Sequence, residues 1–284
     1  MRSIIKKILL FLGVGKLYNK LYDLYDSASC KKIECSIGDI LLLRDVPNGS
    51  QLLLTSRLLD VDAYLGQGDE TFPYQNTISR KKYGNNHNEE GGNSSFKALI
   101  ESYKKFGYNQ DSYITCDKNM VLMDGNHRMG LQIHEHIEKV NVRIVGRKWP
   151  DTEALDSYYE RLFPTAFMER IFQRFSEIQK WLIGNGMTFC AYLKSENQEG
   201  INLLNDMRHL CNVLDVKETK CEGVIVCFSM FNPQYIVKDN QLFSNRAAKI
   251  ENILIGRKCA GDEVIVSKNC LEGKQLYDKY LKTV

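Results

Sequence analysis

No CxxC pair and no cysteine–histidine cluster of zinc spacing occurs in the 284 residues, which removes structural zinc modules and dithiol redox motifs. No apolar run approaches the roughly 20 residues that a spanning helix needs. No basic run forms a concentrated face in the body of the chain, and the formal net charge is only +3. A duplex-binding domain normally shows such a face, so nucleic acid is not expected as a partner. No internal repeat is visible, and low complexity is confined to 84–95.

What is present is a globular mixture, 43% hydrophobic and 26% charged, long enough for one large core or two ordinary domains. Nine cysteines, an odd number, lie at positions 30, 35, 116, 190, 211, 221, 227, 259 and 270. Cys116, Cys190 and Cys227 sit inside apolar, strand-like runs, so reduced and mostly buried thiols in a cytoplasmic protein are expected. The first 20 residues carry Arg2, Lys6, Lys7, Lys16 and Lys20, and no acid precedes Asp23. Their apolar stretch, 8–14, is too short to span a membrane, and no small-x-small cleavage site follows it. Two readings stand for residues 1–22: a basic amphipathic helix lying peripherally on the inner membrane surface, or an ordinary helix docked on the core.

The most informative stretch is Val121-Leu122-Met123-Asp124-Gly125-Asn126-His127-Arg128, followed by an apolar pattern of helical period. A strand here delivers a loop onto a helix N-terminus, where unpaired N–H groups and the positive dipole end face outward. Gly125 lets backbone approach a ligand closely, and His127 and Arg128 add donors. The arrangement suits a phosphate, and so a nucleotide or another phosphorylated ligand.

Elsewhere the patterns predict strands at 39–44 and 51–59, a turn at Pro47-Asn48-Gly49, and a polar and aromatic loop at 66–76. Residues 81–95 read as a long polar loop of the kind that serves as a lid. Ser95 is expected to cap a helix over 96–106 that Gly107 ends. A hairpin follows, 112–116 and 120–123 around Asp117-Lys118-Asn119, and then the loop, its helix and a strand at 140–145. Trp149-Pro150-Asp151 marks a break, and 152–182 is helical in period. Strands at 187–193, 223–230 and 263–267 alternate with helices at 201–213, 241–255 and 271–281, which predicts a smaller α/β unit.

The run from Phe96 to Val145, with Asp124-Gly125-Asn126-His127-Arg128 complete, resembles the ParB/sulfiredoxin superfamily. In that superfamily a helix and a hairpin lead into an Asp-Gly-x-His-Arg-like loop, and a helix and strand follow. The resemblance covers 37–148 and not the C-terminal half. It implies a ParB/sulfiredoxin-like nucleotide-binding domain at 37–148; with the patterns on either side the expected chain is α+β, with a basic amphipathic helical segment at 1–36, a helical connector at 149–186 and an α/β domain at 187–284. Sulfiredoxins carry a catalytic cysteine inside the loop where this chain has Asn126, which argues against sulfinic-acid reduction. Partition proteins add an arginine-rich loop and a helix-turn-helix, and the residues after 149 do not read as that module. The histidine–arginine form of the loop looks most like the branch of small-molecule kinases that includes a free-serine kinase. The chain is also similar in style to ParB-like proteins found with polysaccharide-biosynthesis enzymes.

The resemblance thus implies phosphoryl transfer from ATP or ADP, with Mg²⁺, to a hydroxyl of a small metabolite or glycan. That reaction needs a phosphate cradle, a metal and a carboxylate that positions the hydroxyl. Asp124 is the candidate base or metal ligand, with Gly125, Asn126, His127 and Arg128 as the cradle. Helix capping would explain Asp or Asn here, but not Gly, His and Arg together. Glu70 is the first candidate for a second carboxylate, with Asp69 and Asp60 behind it. Tyr74, Gln75 and Asn76 have the mix of groups that orients a polyol or base, and Arg80 could reach phosphate; a solvated turn explains the same loop equally well. His134 and His136 are two apart on a helix and point to different faces, which disfavours a metal pair. The alternative function is a non-enzymatic nucleotide-binding regulatory or DNA-associated module.

Overall fold

Two four-stranded sheets organise the computed structural model, which describes residues 30–41, 49–66, 89–107, 109, 112–146, 165–194, 200–220, 223–258 and 261–282. In the first sheet the order is β1 (Lys31–Ser36), β4 (Lys139–Ile144), β2 (Ile114–Cys116), β3 (Leu122–Asp124). β1 runs antiparallel to β4 with Ile33 opposite Val142, and β2 runs parallel to β4 with Ile114 opposite Val142. β3 returns antiparallel to β2, with a register shift between Thr115 and Cys116. Every second residue of β4 is buried, the period of a strand with one dry face. Residues 31–36, grouped with the N-terminal helical segment in the expectation, therefore form an edge strand.

Where strands were predicted at 39–44 and 51–59, the described residues 39–41 and 51–59 are helical, in α1 (Ile37–Leu41) and α2 (Gly49–Tyr64), and 42–44 lie outside the described residues. The reason is burial on several sides. Leu54 and Leu58 of α2 face the first sheet, Leu52 meets Phe167, Met168 and Ile171, and Val61 meets Phe96, Ile100 and Leu131. A helix with three dry faces shows no amphipathic period and reads as an apolar run. Its buried hydroxyls are satisfied internally, Thr55 donating to the Gln51 carbonyl (2.7 Å) and Ser56 to that of Leu53 (2.7 Å). α3 (Glu89–Phe106) starts six residues before the expected Ser95, so part of the predicted polar loop is helical. α4 (Asn126–His134) follows the hairpin as expected.

The second sheet has the order β10 (Glu263–Val266), β5 (Phe189–Lys194), β7 (Gly223–Ser229), β6 (Asn212–Glu218). Every neighbouring pair is antiparallel, so this half is antiparallel α+β rather than the alternating α/β unit predicted. α6 (Gly200–Leu210) and α7 (Asn245–Arg257) cover one face through Leu203, Met207, Ala247, Ile250 and Leu254. α8 (Cys270–Tyr277) and its π-helical continuation (Asp278–Lys282) cover the other. β6 and the hairpin β8 (Tyr235–Lys238)–β9 (Gln241–Ser244) occupy residues that the sequence patterns assigned to helices or left unassigned. β6 is a half-exposed edge carrying Asp215, Lys217 and Glu218, too polar to announce a strand.

The halves share a core. α5 (Thr165–Gly184) sends Ile178 and Leu182 into the first sheet's cluster, and Met187 and Leu242 join it. At Gly38 of α1 an added Cβ would lie 1.9 Å from the Met187 carbonyl oxygen, so only glycine permits this contact. Buried Asp39 accepts hydrogen bonds from the Tyr235 hydroxyl (2.8 Å), the Cys270 amide (2.9 Å) and the Ser36 amide (3.3 Å). The boundary expected at 186/187 runs through this packing. Among the described residues no helix is long and apolar enough to cross a membrane. Residues 1–22, expected to be an amphipathic helix, lie outside the described residues.

Candidate functional site

β3 ends at Asp124, and Gly125 then turns the chain in a left-handed conformation (φ 93°, ψ 24°) to open α4. A Cβ at 125 would stand 3.0 Å from Ile114 Cγ2 as well as being strained at that φ. The first intrahelical bond is Met129 N–H to the Gly125 carbonyl (2.8 Å). The cap residue is Gly125, so no side chain at the cap position closes this end, and Asn126, His127 and Arg128 form the first turn ahead of the ladder. The Asp124 side chain is 77% exposed beside them, 3.5 Å from Arg128 Nη2.

The Arg128 and His127 side chains are used differently from the expectation. Arg128 Nη1 donates to Ser112 Oγ (3.1 Å) and to the Tyr113 carbonyl (2.7 Å), bracing the helix against the lead-in to β2. His127 turns inward. Its ring lies 4.8 Å, centroid to centroid, from that of Phe96, and Nε2 is 4.0 Å from Asp60 Oδ2. Burial, and then the Arg57 charge, pushes its pKa down to about 3, so the imidazole is neutral near pH 7.

Asp60, which the sequence placed behind Glu70 together with Asp69, is brought to the loop by the fold, while Glu70 and Asp69 lie outside the described residues. α2 and α4 approach closely here, since a Cβ at Gly130 would be 3.2 Å from Leu58 N. The Asp60 side chain is 1% exposed and pairs with Arg57 Nη1 at 3.3 Å. Its Oδ1 has no hydrogen-bond partner among the described residues, and neither has the buried Asn126 Oδ1. Burial raises the Asp60 carboxyl to about 7, against the opposing charge and hydrogen bond of Arg57.

Two residues further along α2, Asp62 binds His134 Nδ1 (2.6 Å) and Arg174 Nε (2.8 Å), and Arg174 Nη1 reaches Glu177 (2.9 Å). This network ties α2, α4 and α5 together. Arg57, Asp62 and Arg174 were not singled out in the sequence. The available signal was Arg57, Asp60 and Asp62 interrupting an otherwise apolar run, a pattern of charges forced into a core. His134 is buried at the end of α4, whereas His136 lies beyond the helix with φ 54°, exposed and edge-on to Trp181 (5.1 Å), so the two do not share the helix that was expected to separate them.

Asp124 and residues 125–128 are thus contiguous. Glu70, Asp69, Tyr74, Gln75, Asn76 and Arg80 lie outside the described residues. Among the described residues no three His, Cys, Asp or Glu side chains converge as a metal site. Mg²⁺ commonly takes only one or two carboxylates plus phosphate and water, and the exposed Asp124 beside open amides fits that requirement. Comparison with protein-family models, curated proteins and solved structures found no match.

Proposed function

We propose that this chain is a nucleotide-dependent phosphotransferase built on a ParB/sulfiredoxin-like domain. Its phosphoryl donor is ATP or ADP with Mg²⁺, and its acceptor is a hydroxyl of a small metabolite or glycan, in polysaccharide biosynthesis at the cytoplasmic side of the membrane. The observation that carries this reading is the uncapped N-terminus of α4, opened by left-handed Gly125 and flanked by the exposed Asp124 carboxylate. The Asn126, His127 and Arg128 amides would hold phosphate oxygens, and Asp124 would hold Mg²⁺ together with waters. The metal supplies charge neutralisation at the transferring phosphoryl group. Asp60, with a carboxyl near 7, stands 4.0 Å from His127 Nε2 and is a carboxylate able to exchange a proton at neutral pH. Glu70 stays the candidate on the acceptor side.

One observation favours the second reading, a non-enzymatic nucleotide-binding regulatory or DNA-associated module. The Arg128 guanidinium is occupied by Ser112 and Tyr113, and His127 is neutral, so little side-chain charge is left to stabilise a transition state. The two readings separate in one experiment. The protein and Asp124→Ala are incubated with Mg²⁺ and ATP, or ADP, and a panel of amino acids, polyols, sugars and oligosaccharides. Phosphorylated product is read by mass spectrometry and nucleotide affinity by calorimetry. A kinase loses about 10²-fold or more of turnover in the variant while nucleotide affinity stays within a few fold. Tight nucleotide binding without product establishes the regulatory module. Neither product nor binding removes both readings.

A further inference from the structure

Away from this loop, two buried thiols face each other across the second sheet. Cys190 of β5 lies directly opposite Cys227 of β7, and their Sγ atoms are 3.9 Å apart. We infer that Cys190 and Cys227 are a cross-strand thiol pair that closes to an intramolecular disulfide on exchange with a low-molecular-weight disulfide such as oxidised glutathione.

The register supports closure. The Cys190 amide donates to Ser267 Oγ (2.9 Å), and the Ser267 amide donates to the Cys190 carbonyl (2.9 Å). Both main-chain groups of Cys190 therefore point toward β10, away from β7. Cys190 and Cys227 are thus a non-hydrogen-bonded pair, the closer of the two antiparallel kinds, with Cα atoms about 4.5 Å apart. That separation lies inside the range of about 4.4–6.8 Å that disulfides span. Only side-chain rotation is needed to bring the sulfurs to about 2.05 Å.

The two thiols are not equivalent. The hydrogen bond shared with Cys190 lowers the Cys227 pKa, against burial; Thr188 and Lys217 act in the same direction and Asp215 against it. The same bond, together with burial, raises Cys190. Cys227 is accordingly the attacking thiolate. It breaks the S–S bond of the oxidant, forms a mixed disulfide and releases one glutathione thiolate. Cys190 then attacks the Cys227 sulfur and expels a second glutathione thiolate, and the two thiol protons end on the two glutathiones. Two protein thiols are oxidised and one external disulfide is reduced.

Access is gated by the C-terminal segment. Tyr277 packs on the pair with Leu276, Tyr280 and Leu281 against the same cluster, and the Tyr277 hydroxyl is bound to the Gly184 carbonyl (3.0 Å). Both thiols are fully buried beneath it, so exchange requires that segment to lift.

The test uses the reduced full-length protein, equilibrated with excess oxidised glutathione, quenched in acid, unfolded and alkylated. Intact mass and peptide mapping are read for wild type, Cys190→Ala, Cys227→Ala and Tyr277→Ala. The expected wild-type product has lost two hydrogens, escapes alkylation at Cys190 and Cys227 alone, and yields one cross-linked peptide joining them. Neither cysteine variant forms it, and Tyr277→Ala forms it faster than wild type. Full alkylation of both thiols, a glutathione adduct that persists on Cys227 without closure, or a disulfide between other cysteines overturns the inference.

Discussion

Asp39 and Asp60 are both buried aspartates on helices that lean on the first sheet, yet they are treated in opposite ways. Asp39 is fully buried and accepts from three donors, the Ser36 and Cys270 amides and the Tyr235 hydroxyl. Burial raises its carboxyl, and those hydrogen bonds pull it back. It also sits at the N-terminus of α8, where a negative group is favoured. Asp60 is nearly as buried but pairs with Arg57 at 3.3 Å, has His127 Nε2 at 4.0 Å, and keeps an Oδ1 atom with no hydrogen-bond partner among the described residues. A satisfied buried carboxylate is a structural pin. An unsatisfied one beside a histidine and an open helix end is a cost retained by a site. The comparison separates the junction that joins the two halves from the loop that the proposed function uses.

The strongest way to break the junction is Gly38→Ala. Its new methyl would meet the Met187 carbonyl at 1.9 Å, a backbone contact that cannot rotate away. The expected loss exceeds about 4 kcal/mol, which denaturant titration would read as an unfolded or two-step protein. At Gly130, between α2 and α4, the corresponding contact is 3.2 Å, and Gly130→Ala should cost only about 1 kcal/mol. Equal losses at the two sites would erase the distinction between a rigid junction and an adjustable one.

Next in size is Asp39→Ala, which strands the Tyr235 hydroxyl and the Cys270 and Ser36 amides. A loss of about 4 kcal/mol is expected, with Asp39→Asn recovering part of it because the amide oxygen still accepts. Urea midpoints at constant pH measure both. An Asn variant no better than Ala would mean that the charge, rather than the acceptor geometry, is what the junction needs.

A pH dependence sharpens the Asp60 side. The carboxyl moves from 3.8 to about 7 on folding, so between those values the folded chain holds a proton that the unfolded chain has released. Stability therefore falls as pH rises through that window. His127 moves from 6.5 to about 3, so the unfolded chain takes up a proton that the folded chain refuses, and stability rises with pH over that range. Each slope approaches about 1.4 kcal/mol per pH unit, and between roughly pH 4 and 6.5 they oppose each other. Relative to wild type, Asp60→Asn should leave a rising curve and His127→Gln a falling one, as read from denaturant midpoints across that interval. Three parallel curves would show that neither group is perturbed.

The part of the site on one continuous segment was legible in the sequence. The hairpin, the Asp124–Arg128 turn, α4 and β4 follow from a clean alternation of two, a glycine at the reversal, and then a helical period. Asp60 was visible only as one of three carboxylates, because nothing local says that α2 lies across α4. The same blindness hid α2 itself, whose residues feed three separate clusters and so show no period. β6, β8 and β9 were missed for the opposite reason, being short or half-exposed strands with little apolar signal.

The sequence alone determined the local devices: which segments reverse, where glycine was needed, and that a helix N-terminus would stand open beside Asp124. These depend on neighbours along the chain, through backbone sterics and hydrogen-bond spacing. The tertiary structure decided the environments. Burial and distant partners left the Asp60 carboxyl near 7 and His127 neutral, turned Arg128 into a brace, satisfied Asp39 from residues almost two hundred or more positions away, and set Cys190 against Cys227. Charge, proton affinity and thiol pairing depend on desolvation and through-space distance, and neither quantity exists until the chain has folded.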